Sequence, residues 1–266
     1  MAKVKSDGAI ETQGDTAFEK PDTQELQRME GGSVARAADT ETVLGGLSGD
    51  MEDLEIKYPL LKIKNGKSKT PEVSALPDGT LYVGVGEAVA DRGEAAEVII
   101  LSVRRYWKEY QKVYDPSAIL DEKATKKDVI AAGGTTDSRL DPGKTEYRPA
   151  GEIRALVRKP EGAVSSLFGF ELGGVDWAPV RMFVDKSAAQ EILPILVQDI
   201  TVGGLRARGY LSGVYEFRAK ERQFKNGNST WVPKLRLSRF NTDEDVAKIK
   251  GTFGGFASAA PTSDEE

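Results

Sequence analysis

The 266-residue chain contains no cysteine and no histidine. The first absence removes disulfides, thiol nucleophiles and iron–sulfur ligation. The second removes the commonest general base and the commonest zinc ligand. Ser-His-Asp and Cys-His catalysis are therefore excluded, which leaves carboxylate, lysine, tyrosine or a hard metal held by oxygens. Long apolar runs are missing too, since no stretch approaches the roughly 18 residues that a membrane span requires. The opening residues Met1-Ala2-Lys3-Val4-Lys5-Ser6-Asp7 lack the apolar segment of a secretory signal. The expectation is a soluble, cytoplasmic protein with no membrane contact.

Charge is present in both signs but unevenly. The formal net charge of −5 hides 5 basic against 13 acidic side chains in residues 1–56, and 2 against 6 in residues 241–266. Residues 57–240 reverse the balance, with 30 basic and 23 acidic side chains. A basic core between acidic ends gives each part its own field and its own partners.

Residues 1–55 are rich in Gly, Thr, Ala, Asp and Glu, with apolar residues scattered at no helical or alternating period. Too little apolar surface is available there to offset the entropy of ordering, so a disordered acidic tail is predicted. One short helix is expected around Asp22–Met29, capped at Asp22-Thr23. The core is placed at 56–240. Leu61 and Ile63 alternate with Lys62 and Lys64, as on a half-buried strand with a basic outer face. Strands follow at Gly79–Val83 and Glu97–Val103, where Val98-Ile99-Ile100-Leu101 marks a strand buried on both faces. Residues 115–150 read as a polar excursion with helix signals at Asp115-Pro116-Ser117 and Lys126–Ala132. Strand character returns at Glu152–Lys159 and Trp177–Val184, and a helix at Ala188–Gln198 is expected to be kinked or shortened by Pro194. Arg208–Phe224 and Trp231–Phe240 flank Asn226-Gly227-Asn228, a hairpin signal, with Pro233 placing the last strand at an edge or on a bulge. Residues 241–266 are expected to hold a short helix and an acidic C-terminal tail. The fold class is mainly β (α+β): an OB-like antiparallel barrel or sandwich with appended helices and disordered tails.

Several motifs reduce to ordinary structure. Gly66-Lys67-Ser68 resembles the end of a P-loop, but the full pattern needs Gly where Leu61 stands, and Pro71 follows before a helix is expected. Gly84-Val85-Gly86 follows a dinucleotide fingerprint only as far as Val89, which replaces the third Gly; a turn or bulge explains it. Asp115, Asp121, Asp137, Asp141, Glu152, Asp176 and Asp185 would have to gather for a metal-dependent nuclease. Most sit beside Gly, Pro or Ser, where caps and turns account for them. No cofactor and no metal are predicted.

The most informative pattern is basic and aromatic residues interleaved on strands. Tyr215 and Phe217 alternate with Arg218, Lys220 and Arg222, while Leu235 and Leu237 alternate with Lys234 and Arg236. Period two sends the first set to a core and the second outward, where a row of cations tracks a phosphate backbone. Tyr106, Trp107, Phe224 and Trp231 are available to stack bases. The plain alternative is a solvated face over ordinary core aromatics.

Tyr58-Pro59-Leu60-Leu61-Lys62-Ile63, the Gly-Lys-Ser segment, Leu76-Pro77-Asp78-Gly79-Thr80-Leu81-Tyr82, Arg104-Arg105-Tyr106-Trp107, the late hairpin and the acidic terminus together resemble phage-encoded single-stranded-DNA-binding proteins. The resemblance implies an OB-like barrel, work in replication or recombination within the host cytoplasm, and a tail that recruits replication or recombination proteins. It carries no metal, because the excursion has no cysteine. The expectation is a non-enzymatic, sequence-tolerant single-stranded-DNA-binding protein. Lys62, Lys64, Arg104, Arg105, Arg218, Lys220, Arg222, Lys234 and Arg236 would contact backbone, and Tyr106, Trp107 and Trp231 would stack bases. The alternatives are a protein–protein or virion-associated structural module, and third the nuclease.

Overall fold

Side chains that alternate inward and outward organise the described residues around antiparallel strands. The computed structural model describes residues 58–111, 118–137, 139–224 and 227–257. In chain order they form β1 (Leu61–Ile63), α1 (Pro71–Ala75), β2 (Leu81–Val83), β3 (Glu87–Ala90), β4 (Ala95–Glu109) and β5 (Glu122–Lys123). Then come α2 (Lys126–Ala131), β6 (Tyr147–Arg158), β7 (Phe170–Leu172), β8 (Val175–Asp185) and α3 (Lys186–Thr201). A 3-10 turn (Tyr210–Ser212), β9 (Gly213–Gln223), β10 (Ser229–Phe240) and α4 (Asp243–Ala257) complete them. The predicted N-terminal tail, the helix at 22–29, the helix signal at 115–117 and the acidic residues 264–266 lie outside the described residues.

One sheet runs in the order β10-β9-β4-β6-β8-β7 with β5 beside β4, and a second runs β1-β2-β3. The fold is mainly antiparallel β with a few short helices, and the large sheet stays open instead of closing into a barrel. Pro233 lies on the edge strand β10, whose outer side needs no ladder hydrogen bond from it. The apolar run in β4 is covered on both faces. Val98 and Ile100 join a core with Ile153, Val180, Ile192, Leu196 and Tyr215, while Ile99 and Leu101 join a second with Leu156, Trp177, Val214 and Ile249.

A bulge decides which way the end of β4 faces. Ile100 pairs with Ala155 and Ser102 with Arg154, so Leu101 is an extra residue. The alternation therefore changes phase. Val103 continues the face of Ile100 and packs on the first core, and period two then carries Arg105 and Trp107 on that face while Arg104 and Tyr106 take the other.

Two helix expectations are corrected. α3 runs unbroken through Pro194 for 16 residues. Pro194 and Gln190 are both exposed, so the Gln190 carbonyl that loses its partner meets water, which lowers the cost of the proline. Pro71, expected to prevent a helix, instead starts α1, because its missing N–H is one the first turn leaves free anyway. α2 matches expectation, with Thr125 and Asp128 forming a reciprocal capping box.

The folded core also extends past Phe240. Val246, Ile249 and Phe253 on α4 lie on one helical stripe and are buried in the second core. Phe253 meets Phe170 edge to face with ring centroids 5.0 Å apart. The expected boundary at 240 is therefore too early, because these apolar side chains recur at helical spacing.

Candidate nucleic-acid interface

The late hairpin has the expected register. Arg218 stands opposite Lys234, Glu216 opposite Arg236, and Lys220 opposite Val232, so the outward set of both strands shares one face. The cations are not all free. Glu216 accepts from Arg218 at 2.7 Å and from Arg236 at 2.9 Å. Lys234 is hydrogen-bonded to Glu191 of α3, and Arg222 lies 3.7 Å from the same carboxylate. Lys220 has no ion pair among the described residues. Next to Glu216, Glu97 is held between Arg158 at 2.8 Å and Arg239 at 3.2 Å. Burial pushes the Glu97 carboxyl up, but hydrogen bonds from Arg239 and Arg158 outweigh it and hold the group below its ordinary range. The Arg218 hydrogen bond, with help from Arg236, likewise lowers Glu216.

Alternation divides Arg104-Arg105-Tyr106-Trp107 between the two faces of β4, and the bulge decides which pair takes which. On one face, the Arg104 guanidinium lies 5.3 Å from the Tyr106 ring centroid and 3.7 Å from Glu122. Arg104 pairs with Glu152, which pairs with Phe183; one row over, Ser102, Arg154 and Arg181 line up across the same strands. Phe183 is 54% exposed, with the Arg181 guanidinium 5.4 Å from its ring. Tyr58 is near enough to Arg154 to feel its charge, although burial is the stronger influence and raises its pKa. Arg104, Arg154, Arg181 and Phe183 thus interleave on one open sheet face, within which Tyr106 is buried. Arg154, Arg181 and Phe183 were missed from sequence, yet their signal was present. Each alternates with Ile153, Met182 or Val184, which marks them as outward.

On the other face, Arg105 and Trp107 line a groove under α3. Beyond them Arg148 stacks 3.4 Å from the Tyr110 ring centroid, and the Lys186 ammonium lies 5.7 Å from the same ring.

The structure buries two predicted residues, Lys64 and Tyr106, which leaves the Tyr106 ring unable to stack a base, and partly covers a third, Trp231. Lys64 is only 6% exposed, because β1 ends at Ile63 and the chain turns in to exchange backbone hydrogen bonds with Gly79 and Thr80. Its ammonium is hydrogen-bonded to Asp78 at 3.0 Å and to the Gly66 carbonyl. The basic outer face expected of β1 is thereby reduced to Lys62, which is exposed. Trp231 is also occupied. Its ring lies 2.8 Å from where a Gly79 Cβ would be, and the Arg92 guanidinium covers it at 4.8 Å. Gly79, at φ +92°, is needed both for its turn and for that contact.

The carboxylates do not converge. Asp121 accepts from Tyr147, Asp137 from Arg139, Asp141 from Thr135, and Asp176 from Lys159. The Arg139 hydrogen bonds hold Asp137 at a pKa of about 2. Among the described residues no three acidic side chains are grouped to hold a metal. Comparison with protein-family models, with curated proteins and with solved structures gave no match.

Proposed function

We propose that the chain binds single-stranded DNA without sequence preference, as a non-enzymatic protein of replication or recombination. The observation that carries this reading is Phe183, an exposed aromatic ring set among Arg104, Arg154 and Arg181 on an open sheet. A stacking surface bordered by guanidinium groups suits a flexible strand, whose bases are free to lie on a ring while its phosphates meet cations. An OB-like ancestry is part of the proposal. It is supported by Leu60, just ahead of β1, which bridges to Arg181 of β8, and by Asn65, just beyond β1, which hydrogen-bonds the backbone of Trp231 in β10.

Titration of a labelled thymidine oligonucleotide by fluorescence anisotropy, at several salt concentrations, tests the reading. Replacing Arg104, Arg154 and Arg181 together with Ala should reduce the logarithmic salt slope by about 2. Phe183→Ala should weaken binding about tenfold. Unchanged affinity and slope in both variants would remove this face as the site. Mg²⁺-dependent degradation of the oligonucleotide would favour the nuclease instead. One observation favours the second reading, a protein–protein or virion-associated structural module: Glu216 and Glu191 tie up much of the hairpin's charge within the molecule. Indifference of the intact chain to nucleic acid would establish that reading over the first.

A further inference from the structure

α3 crosses the end of β6 and leaves a groove of about 650 Å³ between helix and strands. Trp107, Pro149, Leu193 and Val197 supply apolar walls, and Arg105 is the one charged residue lining it. We propose that this groove takes one nucleotide of the bound single strand, its base against Trp107 and its phosphate at Arg105. The inference rests on the single-strand reading and adds a subsite on the face opposite Phe183.

Charge is the first support. Among the described residues Arg105 makes neither an ion pair nor a hydrogen bond, and no carboxylate lines the groove to neutralise it. Its charge is felt by Tyr210, whose burial nevertheless keeps the phenol protonated to a pKa of about 12. An anion entering here meets an uncompensated guanidinium. The state of the three tryptophans is the second support. Trp177 is 2% exposed, and its indole N–H donates to the Leu172 carbonyl. Trp231 is covered by Gly79 and Arg92. Trp107 lines the groove under α3 and, unlike Trp231, has no ring or cation partner among the described residues. Spacing is the third. Two residues apart on one strand face, Arg105 and Trp107 stand about 7 Å apart along β4, a separation that one nucleotide spans.

Two further features fit a nucleotide. Gln190, Gln198 and Thr201 border the groove with amides and a hydroxyl, which donate or accept as the base requires and so favour no single one. Pro149 and Ala150 also line the neighbouring cleft, where Lys108, Arg148 and Lys186 outnumber Glu109 and Asp185, so a chain leaving the groove meets a net positive lining.

The test uses the intact chain and a fluorescein-labelled thymidine oligonucleotide, with binding read by anisotropy and the groove by tryptophan emission. Bound oligonucleotide should quench tryptophan emission, and Trp107→Phe should remove most of that quenching, leaving only the part that Trp231 beside Phe183 contributes, while anisotropy still reports binding. Val197→Phe, which fills the groove, should weaken binding about tenfold. Arg105→Gln, at an exposed position, should reduce the salt slope by about 0.7. If the oligonucleotide binds but quenching survives Trp107→Phe undiminished, or affinity and slope survive both Val197→Phe and Arg105→Gln, the groove is not a nucleotide site and the single-strand reading stands without it. If the wild-type chain does not bind, both fall. Quenching of Trp107 by an acidic, aromatic peptide and not by the oligonucleotide would overturn the inference in favour of a protein partner.

Discussion

Leu193 sits 3.1 Å from the point where a side chain on Gly151 would begin. That contact seats α3 on β6, and it sets how closely the helix approaches the strand end that carries Arg105. Gly151→Val should push the helix away and cost about 1–3 kcal/mol by overpacking. Thermal unfolding measures it; an unchanged midpoint would mean that α3 is free to shift without loss.

The last helix is predicted to be part of the folded unit. Phe253→Ala removes a ring that is 9% exposed and packed on Phe170, and should cost about 3–5 kcal/mol. A chain ended after Lys250 should unfold at a lower temperature than the full chain, whereas one ended after Ala257 should match it. Equal stability of the chain ended after Lys250 would return α4 to the status of a tail.

Acid should weaken the fold through Glu97 and Glu216. Both carboxyls are depressed below their ordinary value of 4.5 by flanking arginines. A depressed folded-state pKa contributes stability that is present above the unfolded value and lost as pH falls through the folded one. Melting temperatures should therefore decline as pH drops below about 4.5. In the Glu97→Gln, Glu216→Gln double variant this part of the decline should be smaller. Identical pH profiles would show that the pairs contribute nothing measurable, as exposed pairs often do.

Glu216 also offers a test of the hairpin as a DNA contact. Glu216→Gln frees Arg218 and Arg236 together. If phosphates reach them, binding to the thymidine oligonucleotide should tighten severalfold at low salt and the advantage should fade as salt rises. No change at any salt would confine the interface to the Phe183 face and the groove.

Much of the architecture was legible because burial forces periodicity. Ile99 and Leu101 announced a doubly covered strand, and Pro233 announced an edge or a bulge, of which the edge is found. The hairpin register followed from turn chemistry around Gly227. What escaped depended on contacts distant in sequence. Lys64 reads as an outward residue by alternation, and only the return of Gly79 and Thr80 beside it turns it inward. Trp231 reads as a free aromatic until Gly79 and Arg92 close on it. Phe183 obeys the same alternation rule as Tyr215 and Phe217, but among Val180, Met182 and Val184 an apolar ring reads as one more buried side chain. The partners of Arg218 and Lys234 were beyond reach: register alone brings Glu216 to Arg236, and Glu191 belongs to a helix whose placement no local pattern gives.

The extra residue at Leu101 has a consequence for what kind of polymer fits this surface. By changing phase inside one strand, it decides which side of the sheet receives Arg104 and Tyr106 and which receives Arg105 and Trp107, neighbours that alternation already sets on opposite sides. A nucleic acid that engages both sides must hook around the sheet within a few nucleotides. Duplex DNA, with a persistence length of about 150 base pairs, resists so tight a turn, whereas a single strand makes it by rotating a few backbone bonds. Selection against the double helix would then come from curvature and would need no chemical reading of the bases at all.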